Sequence, residues 1–288
     1  MELIEIKNLL RNFQKNHGVP ERKLIGNELE HHKQVSVLKN AQEEAKELWC
    51  LEQIERMQSL YLTAFEQLKR QQYYKMWCTL EIIENTSGYL HKHFKGNAKK
   101  YWITFIDETV AKFQSLFPYH IFASPELVVR HECSICSAPL GIRNSCNHEE
   151  GEIYNGELCL KIVHIEKCLG TALVENPVQK YSVIFLSDPS TGESIDQYNY
   201  CVLDYLRQRL AEPFQDWEFE TSLINETRPE YRGVERNDLC PCKSGQKFKR
   251  CHLSASEGIR KHYTFHLGTQ AATMKKCKTC SRDALSQC

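Results

Sequence analysis

No apolar run in the 288 residues approaches the ~20 that a helix needs to span a bilayer. The chain opens Met1-Glu2-Leu3-Ile4-Glu5-Ile6-Lys7, with acidic residues where a secretory signal needs a basic stretch and then an apolar block, and this predicts a cytoplasmic protein. Net charge is missing as well, since 37 Lys and Arg balance 37 Asp and Glu. There is no internal repeat and no low-complexity tract. Three catalytic signatures are also absent: a nucleophile elbow, a Gly-rich loop to cradle phosphate, and a His-Glu-x-x-His helix. No catalytic residue and no organic cofactor site is therefore assigned. What remains is a globular composition, 41% hydrophobic and 26% charged, long enough for one large domain or two ordinary ones.

Cysteine, by contrast, is plentiful at fourteen residues. A cytosolic chain keeps its thiols reduced, so metal binding is the better account of those that cluster. The isolated Cys50, Cys78, Cys159, Cys168 and Cys201 read as small buried apolar residues. The first cluster is Cys240-x-Cys242, eight residues, then Cys251-His252, and four such ligands can close around one tetrahedral zinc ion. Pro241 stiffens the first pair, and Ser244-Gly245 turns the chain back toward the second. The other cluster is Cys133-x2-Cys136, nine residues, then Cys146-x-His148. Pro139 and Gly141 let its loop return, while His131 could replace His148 and Cys159 could compete for a place. Both sets are closed at four ligands, which leaves no position for substrate water and predicts two structural ions. Cys277 and Cys280, with Cys288 and His266, form a possible third set on a frayed tail and are not assigned as a site. His31-His32 and His91-x-His93 lack the helical spacing that aims two rings at one ion. His164 and Cys168 lie four apart on strand and turn and make no convincing nucleophile–base pair.

The stretch from Arg236-Asn237-Asp238-Leu239-Cys240-Pro241-Cys242 through Lys243-Ser244-Gly245-Gln246-Lys247-Phe248-Lys249-Arg250-Cys251-His252 resembles the SEC-C motif, the zinc-binding tail first noted in the SecA preprotein translocase motor. It departs from the family pattern at Leu239, usually Pro, and at Lys243, usually Gly. Neither is a ligand, but Lys243 would disturb the loop if that position needs positive φ. The Cys133 cluster, continued by Gly151-Glu152-Ile153-Tyr154-Asn155-Gly156-Glu157-Leu158-Cys159, is similar to a small zinc element of uncharacterised bacterial and phage proteins, some with SEC-C tails. That likeness implies a zinc-stapled β element and no activity.

The expected fold class is α+β, with a mainly helical N-terminal domain, a small zinc-stapled β-containing module, a helix and a C-terminal SEC-C motif. Helical spacing of Leu48, Leu51, Ile54, Met57, Leu60, Tyr61, Phe65 and Leu68 marks one stripe of a bundle helix within a long segment from Glu21 to Asn85. Asn85-Thr86-Ser87-Gly88 and Gly96-Asn97 read as breaks. Ser124-Pro125 breaks the helical pattern, and short β-rich runs follow at 160–165, 171–174 and 181–186, then a helix from Ile195 to Leu210. The expected domains are 1–122 (helical), 123–214 (zinc-stapled), 215–235 (linker), 236–254 (SEC-C) and 255–288 (basic tail). From Pro229 to Cys288 there are twelve Lys and Arg against five Asp and Glu, which suggests an acidic partner. The favoured expectation is an adaptor whose Lys243, Lys247, Lys249, Arg250, Arg260 and Lys261 face an acidic protein surface or the ribosome, with Phe248 as an exposed anchor. The alternatives are binding of nucleic acid without base reading, and an enzyme or defence-type effector whose site assembles only in three dimensions.

Overall fold

The computed structural model describes residues 1–143, 145–268 and 270–273, so Cys277, Cys280 and Cys288 lie outside the described residues. The fold is α+β. The chain divides into two compact units, Met1–Leu203 and the remainder from Asp204.

The first unit begins with helices α1 (Leu3–Arg11), α2 (Phe13–Asn16), α3 (Arg22–Leu38), α4 (Gln42–Lys69), α5 (Tyr73–His93) and α6 (Ile103–Leu116). The stripe from Leu48 to Leu68 is the buried face of α4, with Leu60 half-buried at its margin. Gln58, fully buried on the same helix, donates to the Leu10 and Tyr101 carbonyls and accepts from Arg22, so one amide ties three segments together. The long helical segment expected from Glu21 is cut twice, at Lys39–Ala41 and Arg70–Gln72. Asn40 and Gln71 make those cuts by adopting left-handed backbone, φ 56° and 59°, without the Gly or Pro that would announce a break. Conversely, the break expected at Asn85–Gly88 does not occur and α5 runs through it. Thr86 Oγ1 donates to the Ile82 carbonyl and Ser87 Oγ to Asp107 of α6, so both polar side chains are satisfied inside the helix. At Gly96–Asn97 the chain does turn, and Asn97 accepts from the Lys100 N–H.

Strand β1 (Phe122–Cys133) pairs antiparallel with β5 (Lys161–Val174), and β2 (Pro139–Leu140) joins β1 at His131 and Glu132. Pro125 lies inside β1 and does not break it. Ala123 N–H points to the far edge, where it reaches the Ser182 carbonyl, so Pro125, two residues on, directs its missing donor to that same edge. Gly170 likewise falls inside β5, so the two short runs expected there are one strand with bulges against β1. A tight hairpin, β3 (Ile153–Tyr154) and β4 (Glu157–Leu158), turns on Asn155 and Gly156, both at positive φ. Of the run at 181–186 only Leu186 is in a strand, β6 (Leu186–Ser187), paired with β7 (Ser194–Ile195).

Helix α7 (Cys201–Arg209), shorter than expected, crosses into the second unit. There β8 (Trp217–Thr227) pairs along its length with β9 (Glu257–Leu267), and β10 (Gln270–Thr273) adds to β9. The linker expected at 215–235 is thus largely a strand, and the basic tail begins with another. Trp217 and Phe219 pack against Phe265, and Tyr205 of α7 lies 5.5 Å from the same ring. Burying this aromatic face stabilises the ribbon, because two strands alone are marginal in water.

Candidate metal centres

Thr227 pairs with Glu257, so the 29 residues between β8 and β9 start and finish side by side. Within that loop Cys240 N–H donates to the Gln246 carbonyl, Phe248 N–H to Asp238 and Lys249 N–H to Arg236. The folded-back hairpin brings Cys240 and Cys242 over a 3₁₀ turn at Phe248–Arg250, which presents Cys251 and His252. Four donor atoms then lie within 4.8 Å of one another. His252 Nδ1 is 3.3 Å from Cys240 Sγ and 3.1 Å from Cys251 Sγ, and Cys242 Sγ is 3.5 Å from Cys251 Sγ. Two sulfurs bound at about 2.3 Å on a tetrahedral ion stand about 3.8 Å apart, so this cage needs little expansion to receive one. Ser244 Oγ, 3.2 Å from Cys242 Sγ, together with the Ser244 N–H, draws that thiol down to about 6 and favours the thiolate that a metal requires. Lys243 N–H closes the turn onto the Cys240 carbonyl with Lys243 at φ 62°, so the family's glycine position does carry left-handed backbone here.

The ring of Tyr231 lies nearly parallel to His252 at 5.6 Å and also packs on Phe248, forming a small core with Cys240. Phe248 is only 2% exposed and is therefore packing, contrary to the expectation of an exposed anchor. Lys243, Lys247, Lys249 and Arg250 are all exposed around it, as is Lys261 on β9.

The second group forms where β1 ends. Cys133 and Cys136 flank a turn closed by Ser137 N–H on the Cys133 carbonyl, and the loop beyond β2 returns Cys146 and His148. Their four donor atoms also lie within 4.8 Å of one another, with Cys133 Sγ 3.8 Å from His148 Nδ1. Burial pushes the Cys133 thiol up, but the Cys136 and Ile135 N–H groups outweigh it and bring it to about 6. Tyr154 holds the returning loop, its ring 4.7 Å from His148 and its hydroxyl accepting from the Glu149 N–H. His131 stays on β1 outside the group. Cys159 comes closer than a plain core residue would, its Sγ 3.8 Å from Cys133 Sγ. It is 3% exposed, and burial pushes its thiol up to about 11. Cys50 is buried in α4, whereas Cys168 is exposed on β5, so the latter is not the core residue expected.

This second group is fastened to the helices. Lys33 of α3, 6% exposed, reaches Glu30 at 2.9 Å, Glu52 of α4 at 2.9 Å and Glu157 of the hairpin at 2.8 Å. Gln42 exchanges hydrogen bonds with Asn155, and His93, buried on α5, meets the Gly151 carbonyl at 2.7 Å. A Cβ on Gly156 would stand 2.8 Å from the Lys33 side chain, so glycine serves close approach as well as the turn. The helices and the Cys133 module, separated at 122/123 in the sequence reading, accordingly share one compact unit. His31 and His32 lie tilted to each other with ring centroids 6.2 Å apart, His91 pairs with Asp107, and His164 with Glu132; none joins either cysteine group.

The family model of the SEC-C motif matches residues 236–254. The protein translocase subunit SecA of a Nocardioides species is 49% identical over 37 residues, which cover 13% of this chain and 4% of SecA. No solved structure matches the chain. No helix among the described residues is long and apolar enough to cross a membrane.

Proposed function

We propose, from the SEC-C motif that the chain carries at residues 236–254, that each Cys3His group holds one structural zinc ion and that the C-terminal one displays a basic surface to an acidic partner. The carrying observation is the pair of closed four-donor cages, each with all its donor atoms within 4.8 Å. Mixed thiolate and imidazole donors suit zinc over magnesium or calcium, and four protein ligands leave no open position for catalysis. In this reading Cys240, Cys242, Cys251 and His252 hold one ion, and Cys133, Cys136 and Cys146 hold the other with His148. Cys159 waits beside that second ion as a competing sulfur.

Lys243, Lys247, Lys249 and Arg250 project from the hairpin that the first ion would fix, so the charged face depends on metal without touching it. The partner class we favour is an acidic protein surface, in keeping with the similarity to a protein translocase subunit. Electrostatic complementarity of this kind mainly accelerates association and sets specificity. The protein would act in the cytoplasm.

Native mass spectrometry of the full chain should find two zinc ions. His148→Ala should retain two if Cys159 takes the vacant place, and one if it does not; one or none in the parent would sink the reading. With zinc content intact, Lys247→Glu/Lys249→Glu should abolish binding to an acidic peptide. Binding to RNA or duplex DNA that falls steeply from low to moderate salt, with no peptide binding, would favour nucleic acid as the partner instead.

A further inference from the structure

A cavity of about 510 Å³ opens in the first unit between α1, the beginning of α4 and the connection from α5 to α6. It lies among the helices, no member of either Cys3His group lines it, and its volume suits a ligand of nucleotide size. Cys50 and Leu51, at most 2% exposed, give it an apolar floor. Phe94 and Tyr101 form a wall, edge to face with centroids 5.5 Å apart. That wall is preformed: the Phe94 ring lies across the backbone at Gly96, where an added Cβ would stand 2.3 Å from it.

The rim is strongly cationic. Five Lys and Arg line the cavity against two Glu. Lys7 is paired with Glu47 at 2.6 Å, and Lys46 stands 4.0 Å from Glu152. Arg11, Lys95 and Lys100 make no ion pair among the described residues. The Arg11 guanidinium instead lies over the Tyr101 ring, 5.2 Å from its centroid, which orients its donors while leaving its charge uncompensated. Against these three cations stands one further lining carboxylate, Glu43, so a net positive potential remains above the apolar, aromatic interior where a phosphate dianion would sit. A flat ring would find apolar contact below.

We propose that this cavity binds a nucleotide, its phosphates among Arg11, Lys95 and Lys100 and its base against Phe94. Phosphate favours such donors because charge-assisted hydrogen bonds are stronger than neutral ones. A base stacks on an aromatic face whatever its identity, so the geometry specifies a phosphorylated nucleoside and not one particular base.

The experiment is calorimetric titration of the full, zinc-loaded chain with ADP, GDP, CDP and UDP, and with adenosine and inorganic pyrophosphate. At least one diphosphate should bind saturably, and adenosine and pyrophosphate should each bind at least about tenfold more weakly than it does. Lys95→Ala/Lys100→Ala, which alters exposed residues only, should weaken the nucleotide by about tenfold or more with unchanged zinc content and thermal midpoint. Phe94→Leu should weaken the nucleotide and leave pyrophosphate unaffected. No binding of any diphosphate tighter than about 1 mM overturns the proposal. So does indifference to the lysine pair, or pyrophosphate binding as tightly as the nucleotide. Binding of single-stranded RNA through these lysines without any mononucleotide binding overturns it as well, in favour of a polymer site. None of these outcomes bears on the two zinc ions.

Discussion

Replacing Lys33 by Met is expected to loosen the helices and the Cys133 group together. Lys33 is 6% exposed and its ammonium meets three carboxylates within 2.9 Å. Two of these, Glu30 and Glu157, are 47% and 63% exposed, so their pairs contribute well under about 1 kcal/mol each. Glu52 is 16% exposed and decides the magnitude. Removing one partner of a buried pair costs about 3–5 kcal/mol because the other charge stays buried and uncompensated. Glu52 has a way out, since burial already pushes its carboxyl up to about 7, and it can take a proton instead of remaining charged. That escape brings the cost to the bottom of that range or just below it, about 2–3 kcal/mol near neutral pH. Such a loss is a sizeable part of the ~5–15 kcal/mol that holds a typical domain together. Urea unfolding of the zinc-loaded chain, followed by helical circular dichroism and by zinc release to a chromogenic chelator, reads both halves of the effect. Both transitions should move to lower urea, and Lys33→Met/Glu52→Leu should recover part of the loss. A shift below about 0.5 kcal/mol, or helix loosening without earlier zinc release, would refute the coupling.

Lys243 sits at φ 62°, where a side chain costs roughly 1–2 kcal/mol that glycine avoids, partly offset by glycine's greater freedom when unfolded. Lys243→Gly should leave zinc retention unchanged or up to about tenfold stronger, whereas Lys243→Val should weaken it; equal retention in the two variants would contradict the backbone account. Glu52 has its folded pKa raised from 4.5 to about 7, so its contribution to stability is fully present below pH 4.5 and fades as pH climbs from 4.5 to 7. Glu52→Gln should remove that slope from urea midpoints measured at pH 5, 6 and 7. The cysteine groups titrate alike in both proteins and cancel in the comparison, so parallel profiles would rule the effect out.

Much of the architecture was legible because its signals are periodic or local. The three- and four-residue spacing along α4 names its buried face, and the Cys-x-Cys and Cys-x2-Cys pairs announce their own turns. The alternation Trp217-x-Phe219 marks β8, although that segment reads as a linker when only its position before a basic stretch is weighed. Other features carried no local mark. Gln71 breaks a helix in a conformation its residue type does not advertise, whereas Asn40 is of the one non-glycine type that favours left-handed backbone at a helix end; Ser87 and Gly88 look like a break that tertiary hydrogen bonds to Asp107 overrule. The Arg11, Lys95 and Lys100 rim draws on segments some ninety residues apart, and nothing in any one of them points to a cavity.

The grouping of the two Cys3His sets was determined by sequence alone, since their members lie within sixteen residues of each other and a short loop can bring them together without help from the rest of the chain. The role of each set in the fold was decided by tertiary structure. Lys33 and Glu157 stand 124 residues apart, yet their contact makes the Cys133 group part of the helical unit. Burial of that ammonium among carboxylates is a property of three packed segments at once, and no spacing along one of them can encode it.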